Sequence, residues 1–171
     1  MVVLLAVIYP MAIFGIAQLA PNKGKGETIT VNGKVVGYQK IGQKFDKSNY
    51  FWGRPSAVDY NAAGSAGSNK GPSNPDYLAL VQKRIDTFLI VYPYLKKSEI
   101  PSDMVTASGS GLDPNISPQG ALIQVKRVAA ARNLSESKVK ALVETKINTP
   151  TLMGVATVNV LELNIALDEL K

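Results

Sequence analysis

The first twenty residues contain no charged side chain, and Gln18 is the only strongly polar residue among them. At a rise of about 1.5 Å per residue, a helix of this length reaches roughly 30 Å, the thickness of the hydrocarbon core of a bilayer. A helix also satisfies every backbone N–H and C=O group in lipid. The segment therefore predicts a single transmembrane helix over residues 1–20, followed by a polar linker over 21–27 and a soluble domain over 28–171.

A cleaved signal peptide and a buried helix of a soluble protein are the alternative interpretations of this segment. A signal peptide normally begins with basic residues and has an apolar core of about 7–15 residues, but no basic residue precedes Lys23 here. Lys23 and Lys25 follow the apolar segment, so the positive-inside rule places the domain in the cytoplasm. We favour a membrane anchor that contacts lipid. The charge distribution alone does not determine on which side of the membrane the domain lies.

The rest of the chain favours a protein without the commoner kinds of catalytic or metal site. It contains no His and no Cys, which excludes thiolate and imidazole zinc sites and the Ser-His-Asp and Cys-His nucleophile pairs. The net charge of +6 comes from scattered Lys residues without an Arg-rich stripe or interleaved aromatic residues. We therefore expect a solvated basic surface and no binding of nucleic acid.

The pattern of apolar residues predicts a mixed α/β domain, with a short sheet flanked by helices. Asn32-Gly33 between β-branched residues predicts a hairpin with a type I′ turn. Helices are predicted from Asn74-Pro75 to Pro93, from Ser117-Pro118 to Asn133, from Leu134-Ser135 to about Ile147, and from Asn159 through Leu170. Short strands are predicted at 50–52, 104–106 and 154–160.

Two segments have an unusual composition and lie in long loops of the kind usually kept for function or for an interface. The first is Phe-Trp-Gly-Arg-Pro-Ser at 51–56, which leads into a Gly/Ser/Asn-rich stretch up to Asn74. The second is Thr-Ala-Ser-Gly-Ser-Gly-Leu-Asp-Pro-Asn-Ile-Ser-Pro at 106–118. Together with residues 158–164, they resemble the C subunit of the Kdp potassium-transporting ATPase, and the resemblance covers nearly the whole chain.

The resemblance implies a non-catalytic accessory subunit of an ATP-driven potassium import complex. Its partners would be a channel-like potassium-translocating subunit and a P-type ATPase subunit that holds the phosphorylated Asp. The family resemblance also implies a single membrane span and a domain on the extracytoplasmic side. The implied roles are assembly and stability of the pump, ion entry, or nucleotide affinity, with ATP as a cofactor only through the complex. The charged residues that the resemblance leads us to expect before the span are absent, and a missing basic N-terminal extension would reconcile the positive-inside rule with the extracytoplasmic side.

The candidate site residues fall into two groups, and none of them is assigned a catalytic role. Exposed backbone N–H groups of a Gly/Ser loop can cradle phosphate, so Ser108, Gly109, Ser110 and Gly111 are candidates for a nucleotide-binding or partner-binding loop. The candidate partner-contact residues are Trp52, Arg54, Asn61, Asn69, Asp113 and Asn115. Asp113 and Asn115 offer too few oxygen atoms for a metal site.

Two further hypotheses stay open. The first alternative is a membrane-anchored or exported module that binds a nucleotide or another small ligand through the loop at 108–111. The second is a hydrolase, for which only a Ser/Lys or carboxylate mechanism is compatible with the composition. Arg127 and Arg132 are expected to be charges on a helix surface, with a salt bridge from one of them to a partner as the alternative.

Overall fold

The computed structural model describes residues 1–170 and divides into two units, Met1–Lys40 and the residues from Ile41 onward. The contacts thus separate the chain after the hairpin. The predicted linker over 21–27 and domain over 28–171 stay predictions, and the two units are described separately below.

The apolar segment of the first unit forms two short consecutive helical pieces. A π-helical turn, Leu4–Ile8, leads directly into helix α1, Tyr9–Ala17. Pro10 lies in the first turn of α1 and has no N–H to donate to the preceding turn, which interrupts the regular α-helical hydrogen bonds there. At the other end, the N–H of Gln18 is shared between the carbonyl oxygens of Phe14 and Gly15, both at 3.3 Å, which tightens the last turn.

The prediction of a single transmembrane helix over residues 1–20 is wrong for this structure. The helical residues 2–17 rise at most about 24 Å, which is less than the roughly 30 Å of a bilayer's hydrocarbon core. Among residues 1–170, no helix is both long enough and apolar enough to cross a membrane.

The hairpin prediction is confirmed. Strands β1 (Thr28–Val31) and β2 (Lys34–Tyr38) pair antiparallel. Asn32 and Gly33 connect them with φ angles of 51° and 75°, the two left-handed positions that a type I′ turn requires.

The second unit is a mixed α/β fold, as predicted. Its elements are α2 (Pro75–Val91), β3 (Asn115–Ile116), α3 (Pro118–Leu122), α4 (Val125–Arg132), α5 (Glu136–Thr145), β4 (Ile147–Asn148), β5 (Thr157–Asn159) and α6 (Val160–Glu169). The three short strands form an antiparallel sheet in the order β3-β5-β4. The long segment from Ile41 to Asn74 contains one described turn of 3₁₀ helix, Ala62–Gly64.

The helix starts follow from side-chain caps that the sequence shows. The side chains of Asn74, Ser117, Ser135 and Asn159 each accept a backbone N–H in the first turn of the helix that follows. The core of the second unit lies between these helices and the sheet. Its largest fully buried apolar side chains are Tyr92, Phe51, Ile116, Leu163, Leu167, Val128, Val139, Val143 and Val158.

Three local predictions are wrong in detail. Residues 104–106 do not form a strand, because Ser102–Met104 is a turn of 3₁₀ helix and the N–H and hydroxyl of Thr106 both donate to the carbonyl of Ser102. The predicted helix over 117–133 is two helices, α3 and α4, with Gln124 between them. Residues 50–52 pair with no strand among the described residues.

Candidate functional site

Two buried side-chain amides hold the backbone at the start of the Phe-Trp-Gly-Arg-Pro-Ser segment. The N–H of Phe51 donates to Oδ1 of Asn164 at 2.8 Å, and Nδ2 of Asn164 donates to the carbonyl oxygen of Phe51 at 3.0 Å. Gln124 holds Trp52 in the same way, with distances of 2.8 and 3.1 Å. Buried backbone groups require partners, so these two amides take the place of a neighbouring strand.

Gln124 is fixed by its position in the break between α3 and α4. Its Nε2 also donates to the carbonyl oxygen of Gly120 at 2.9 Å, while its Oε1 accepts from Nη2 of Arg127 at 2.9 Å. The side chain is fully buried. A buried amide with both ends bonded has one orientation, so Gln124 sets the position of the Trp52 backbone.

Arg127 also links this segment to the core of the second unit. Its Nε donates to the hydroxyl of Tyr92 at 2.8 Å, Nη2 donates to the carbonyl oxygen of Tyr50 at 2.9 Å, and Nη1 donates to the carbonyl of Ser48. The guanidinium carbon lies 4.2 Å from the centroid of the Trp52 ring. Arg127 is therefore an internal tether and not the surface charge that was expected.

Arg132 has a similar role one turn further along. Its Nε donates to the carbonyl oxygen of Asn49 at 2.7 Å, and its Nη2 lies 2.6 Å from Oδ1 of Asp168. The guanidinium also lies 4.8 Å from the centroid of the Tyr50 ring. The expectation of a simple surface charge is wrong here as well.

The two unusual loops meet at a cluster of five residues, Arg54, Ser56, Tyr60, Gly111 and Asp113, which we call the loop junction. Nη1 of Arg54 lies 3.0 Å from Oδ2 of Asp113, with about a quarter of each side chain exposed. The hydroxyl of Ser56 donates to the carbonyl oxygen of Gly111 at 2.7 Å, and that of Tyr60 donates to the carbonyl oxygen of Arg54 at 2.7 Å. The sequence-selected residues Arg54 and Asp113 thus contact each other.

Tyr60 is protonated at physiological pH, and its burial in the junction extends the pH range over which it stays protonated. Burial and, to a lesser extent, the negative charge of Asp113 raise the pKa of the Tyr60 phenol to about 12, against the opposing charge of Arg54. The hydroxyl therefore remains a hydrogen-bond donor at physiological pH.

Two glycines allow the loops to approach each other closely. Gly111 has a φ of 69°, and a Cβ atom there would lie 2.6 Å from Cγ2 of Val58 and 2.9 Å from the carbonyl oxygen of Ala66. A Cβ atom on Gly67 would lie 2.8 Å from the carbonyl oxygen of Gly109. Glycine is needed at both positions, because any side chain would push the loops apart.

The predicted nucleotide-binding or partner-binding loop at 108–111 uses much of its hydrogen-bonding capacity internally. The N–H of Gly111 donates to Oγ of Ser108 at 3.0 Å, and the N–H of Leu112 donates to Oγ of Ser110 at 3.1 Å. The hydroxyl of Ser65 donates to the carbonyl oxygen of Ser110 at 2.9 Å. Ser108 is buried, whereas Gly109 and Ser110 are exposed. Ligand binding by this loop stays a prediction.

The remaining predicted contact residues lie in different environments. Asn115 is half-buried in β3, and its N–H donates to Oδ1 of Asp113 at 2.9 Å, so it adjoins the loop junction. Asn61 is exposed and caps the turn at Ala62–Gly64 by accepting the N–H of Ala63 at 3.0 Å. Asn69 is exposed with a φ of 52°. Partner contact by these residues stays a prediction.

Asn164 and Tyr92 were not selected from the sequence. Asn164 has a usable signal, because it occupies an apolar position of α6 together with Val160, Leu163 and Leu167, and a polar residue on a buried face needs an internal partner. Tyr92 comes directly after α2, in line with the apolar face of that helix. Nothing in the neighbouring sequence indicates that its hydroxyl accepts a hydrogen bond. Its role depends on Arg127, which is distant in sequence.

The second unit, with its loop junction, is a small mixed α/β module. Within residues 1–170, no group of three or more acidic side chains is placed to hold a metal ion. The chain belongs to the family described as the c chain of K⁺-transporting ATPases, whose model matches residues 1–169.

Individual members of this family are highly similar to the chain. The potassium-transporting ATPase KdpC subunit of Flavobacterium psychrophilum is 85% identical over 171 residues, covering 100% of this chain and 93% of that protein. The KdpC subunit of Bacteroides thetaiotaomicron is 54% identical, covering 99% and 92% of the two chains. That of Caldanaerobacter subterraneus is 51% identical, covering 98% and 88%. The predicted family resemblance is confirmed.

Proposed function

We propose that this chain is a non-catalytic accessory subunit of an ATP-driven potassium import complex, where it supports assembly and stability of the pump. The observation that carries the proposal is the match of the K⁺-transporting ATPase c-chain model to residues 1–169. The partners are a channel-like potassium-translocating subunit and a P-type ATPase subunit, and the catalytic Asp belongs to the latter. The chain is thereby held at the cell membrane by its complex, with the folded second unit on the extracytoplasmic side.

The structure of the second unit supports an interaction role. An ion pair and two hydrogen bonds join residues of the loop junction, and they give the two unusual loops a fixed shape. A preorganised surface loses little conformational entropy when a partner binds. The absence of His and Cys from the chain excludes most nucleophilic and metal-dependent hydrolytic mechanisms. We assign any use of ATP to the catalytic partner within the complex.

Co-purification tests this proposal directly. The full chain carrying a C-terminal affinity tag is expressed together with its pump subunits and purified from detergent-solubilised membranes. We expect the potassium-translocating and ATPase subunits to be recovered in constant ratio to the tagged chain, and the isolated chain to hydrolyse no ATP. Recovery of the chain without either subunit, or ATP hydrolysis by the purified chain alone, would contradict the proposal.

A further inference from the structure

A groove runs along one side of helix α2 next to Trp52 and encloses about 300 Å³. We call it the α2 groove. Its lining from α2 is Leu80, Lys83, Arg84, Thr87, Phe88 and Val91. These positions recur at helical spacing and form one stripe of the helix, and Trp52 and Met104 complete the lining.

The α2 groove offers apolar surface with a rigid base. Phe88 and Met104 are largely buried, whereas Leu80 keeps 41% of its surface exposed. Trp52 is held in place through its backbone by Gln124 and through its ring by the hydrogen bond from Nε1 to the carbonyl oxygen of Lys47, at 2.9 Å. An aromatic residue beside a fixed apolar pocket is typical of the positions that contribute most to binding a protein partner.

Lys83 and Arg84 give the lining of the groove two positive charges. No Asp or Glu lines the groove, and neither Lys83 nor Arg84 makes an ion pair within residues 1–170. Arg84 is fixed by a hydrogen bond from Nη1 to the carbonyl oxygen of Val105 at 3.1 Å. Arg54 differs, because Asp113 compensates its charge.

We propose that the α2 groove binds an acidic segment of another subunit of the pump, and the proposal rests on the proposed function. The segment places one large apolar side chain between Trp52 and Leu80 and one or two carboxylates against Lys83 and Arg84. The volume lies at the lower end of the range for binding pockets, which suits one or two side chains. Two neighbouring cations beside that pocket can bind two carboxylates of one peptide. These carboxylates lie on consecutive turns of a helix or on alternate residues of an extended segment.

Site-specific cross-linking in the assembled complex tests the occupant. Leu80→p-benzoylphenylalanine is introduced into the tagged full chain, the purified complex is irradiated, and the cross-linked peptides are identified by mass spectrometry. The control places the same photoreactive residue at Lys140, which is exposed on α5. We expect position 80, and not position 140, to cross-link to a peptide of a pump subunit with an Asp or Glu within about four residues, the spacing of neighbours on one helix face.

A charge reversal supplies the second measurement. Lys83→Glu is expected to reduce cross-linking at position 80 by about fivefold or more, because an attractive exposed pair becomes a repulsive one. Lys140→Glu makes the same change of charge on α5 and is expected to leave the yield unchanged. Both side chains are exposed, so each substitution is expected to leave the fold intact. Lys140→Glu also removes the exposed ion pair with Glu144.

The outcomes separate the two proposals. A cross-link to lipid, a cross-link to a subunit peptide without acidic residues, or an unchanged yield for Lys83→Glu overturns the α2 groove proposal while the pump subunits still co-purify. Failure of the unmodified chain to co-purify overturns both proposals.

Discussion

The guanidinium carbon of Arg127 lies 4.2 Å from the centroid of the Trp52 ring and 5.3 Å from that of Tyr92. The same guanidinium donates hydrogen bonds to the backbone carbonyls of Ser48 and Tyr50. One side chain on α4 therefore fixes both the ring and the backbone that lead into the loop junction.

Replacing Arg127 tests how much of the second unit depends on this tether. Arg127→Ala is expected to lower the free energy of unfolding by about 2–4 kcal/mol, because it removes several hydrogen bonds and a stacked cation and leaves half-buried acceptors without donors. Arg127→Lys is expected to recover less than half of the loss, because an ammonium group lacks the planar fork. Urea unfolding of the full chain, followed by the fluorescence of its single Trp, measures both values.

The matched control for that series is Lys83→Ala on α2. This side chain is exposed, and its removal is expected to change the free energy of unfolding by less than about 0.5 kcal/mol. A loss for Arg127→Ala no larger than that of the control would show that Arg127 does not order the segment.

Asn164 provides a pH-dependent test of the amide bonds to Phe51. Asn164→Asp keeps the acceptor but can donate to the Phe51 carbonyl only when the carboxyl is protonated. Burial raises the pKa of the introduced carboxyl above its ordinary value of about 3.9. Its protonated form therefore stabilises the folded state below that value, and this contribution is lost as the pH rises through the higher folded-state pKa.

The measurement compares Asn164→Asp with the unsubstituted chain at several pH values. The difference in their unfolding midpoints in urea is expected to widen from acidic to neutral pH. Asn164→Leu, which cannot titrate, is expected to show a penalty of about 2–4 kcal/mol with little dependence on pH, because both Phe51 groups lose their partner. A constant penalty for Asn164→Asp would contradict the proposed donor role.

The sequence predicts the helices and the hairpin better than it predicts the hydrogen bonds that hold the loops in place. The hairpin at Asn32-Gly33 and the helix starts at Asn74 and Ser135 depend on local turn and cap chemistry, so they can be recognised from neighbouring residues. The bonds of Gln124 to Trp52 and of Asn164 to Phe51 join positions far apart in the chain. No local pattern specifies such pairs. The aromatic residues at 50–52 therefore indicate a strand, whereas two side-chain amides supply the hydrogen bonds of that backbone.

The error at the N-terminus has a different physical origin. The length of an apolar run gives the reach of an uninterrupted helix, but it does not account for local breaks. The π-helical turn Leu4–Ile8 precedes α1, and α1 ends at Ala17, so the regular α-helix is shorter than the span of a bilayer. Within the candidate site, the ion pair between Arg54 and Asp113 joins the two loops. Each loop can be recognised in the sequence by its unusual composition, but the contact between them cannot.

The Arg54–Asp113 ion pair is expected to order the two loops more than it stabilises the fold. With about a quarter of each side chain exposed, the coupling energy in a double-mutant cycle of Arg54→Gln and Asp113→Asn is expected to be about 0.5–1.5 kcal/mol. Either single substitution is expected to speed limited proteolysis between residues 57 and 73. An unchanged proteolysis rate for both variants would show that the other bonds of the junction suffice to order the loops.

Tyr60 and Tyr92 predict how the second unit responds to alkali. Burial raises the pKa of each phenol to about 12, and for Tyr92 the charge of Arg127 opposes this effect. In the unfolded chain both phenols have an ordinary pKa near 10. The folded-state values are higher, so the stabilisation from these neutral phenols is fully present below about pH 10. It is lost as the pH rises through about 12.

Alkaline titration with tyrosinate absorbance and far-UV circular dichroism checks this response. Part of the absorbance change is expected to coincide with unfolding, because ionising the buried phenols and exposing them are linked. Tyr92→Phe and Tyr60→Phe are each expected to shift the alkaline unfolding midpoint upward, since each removes one group that must ionise. Their stability at neutral pH falls by about 1 kcal/mol through the lost hydrogen bond. Full ionisation of all tyrosines while the circular dichroism stays native would contradict the burial of these two hydroxyls.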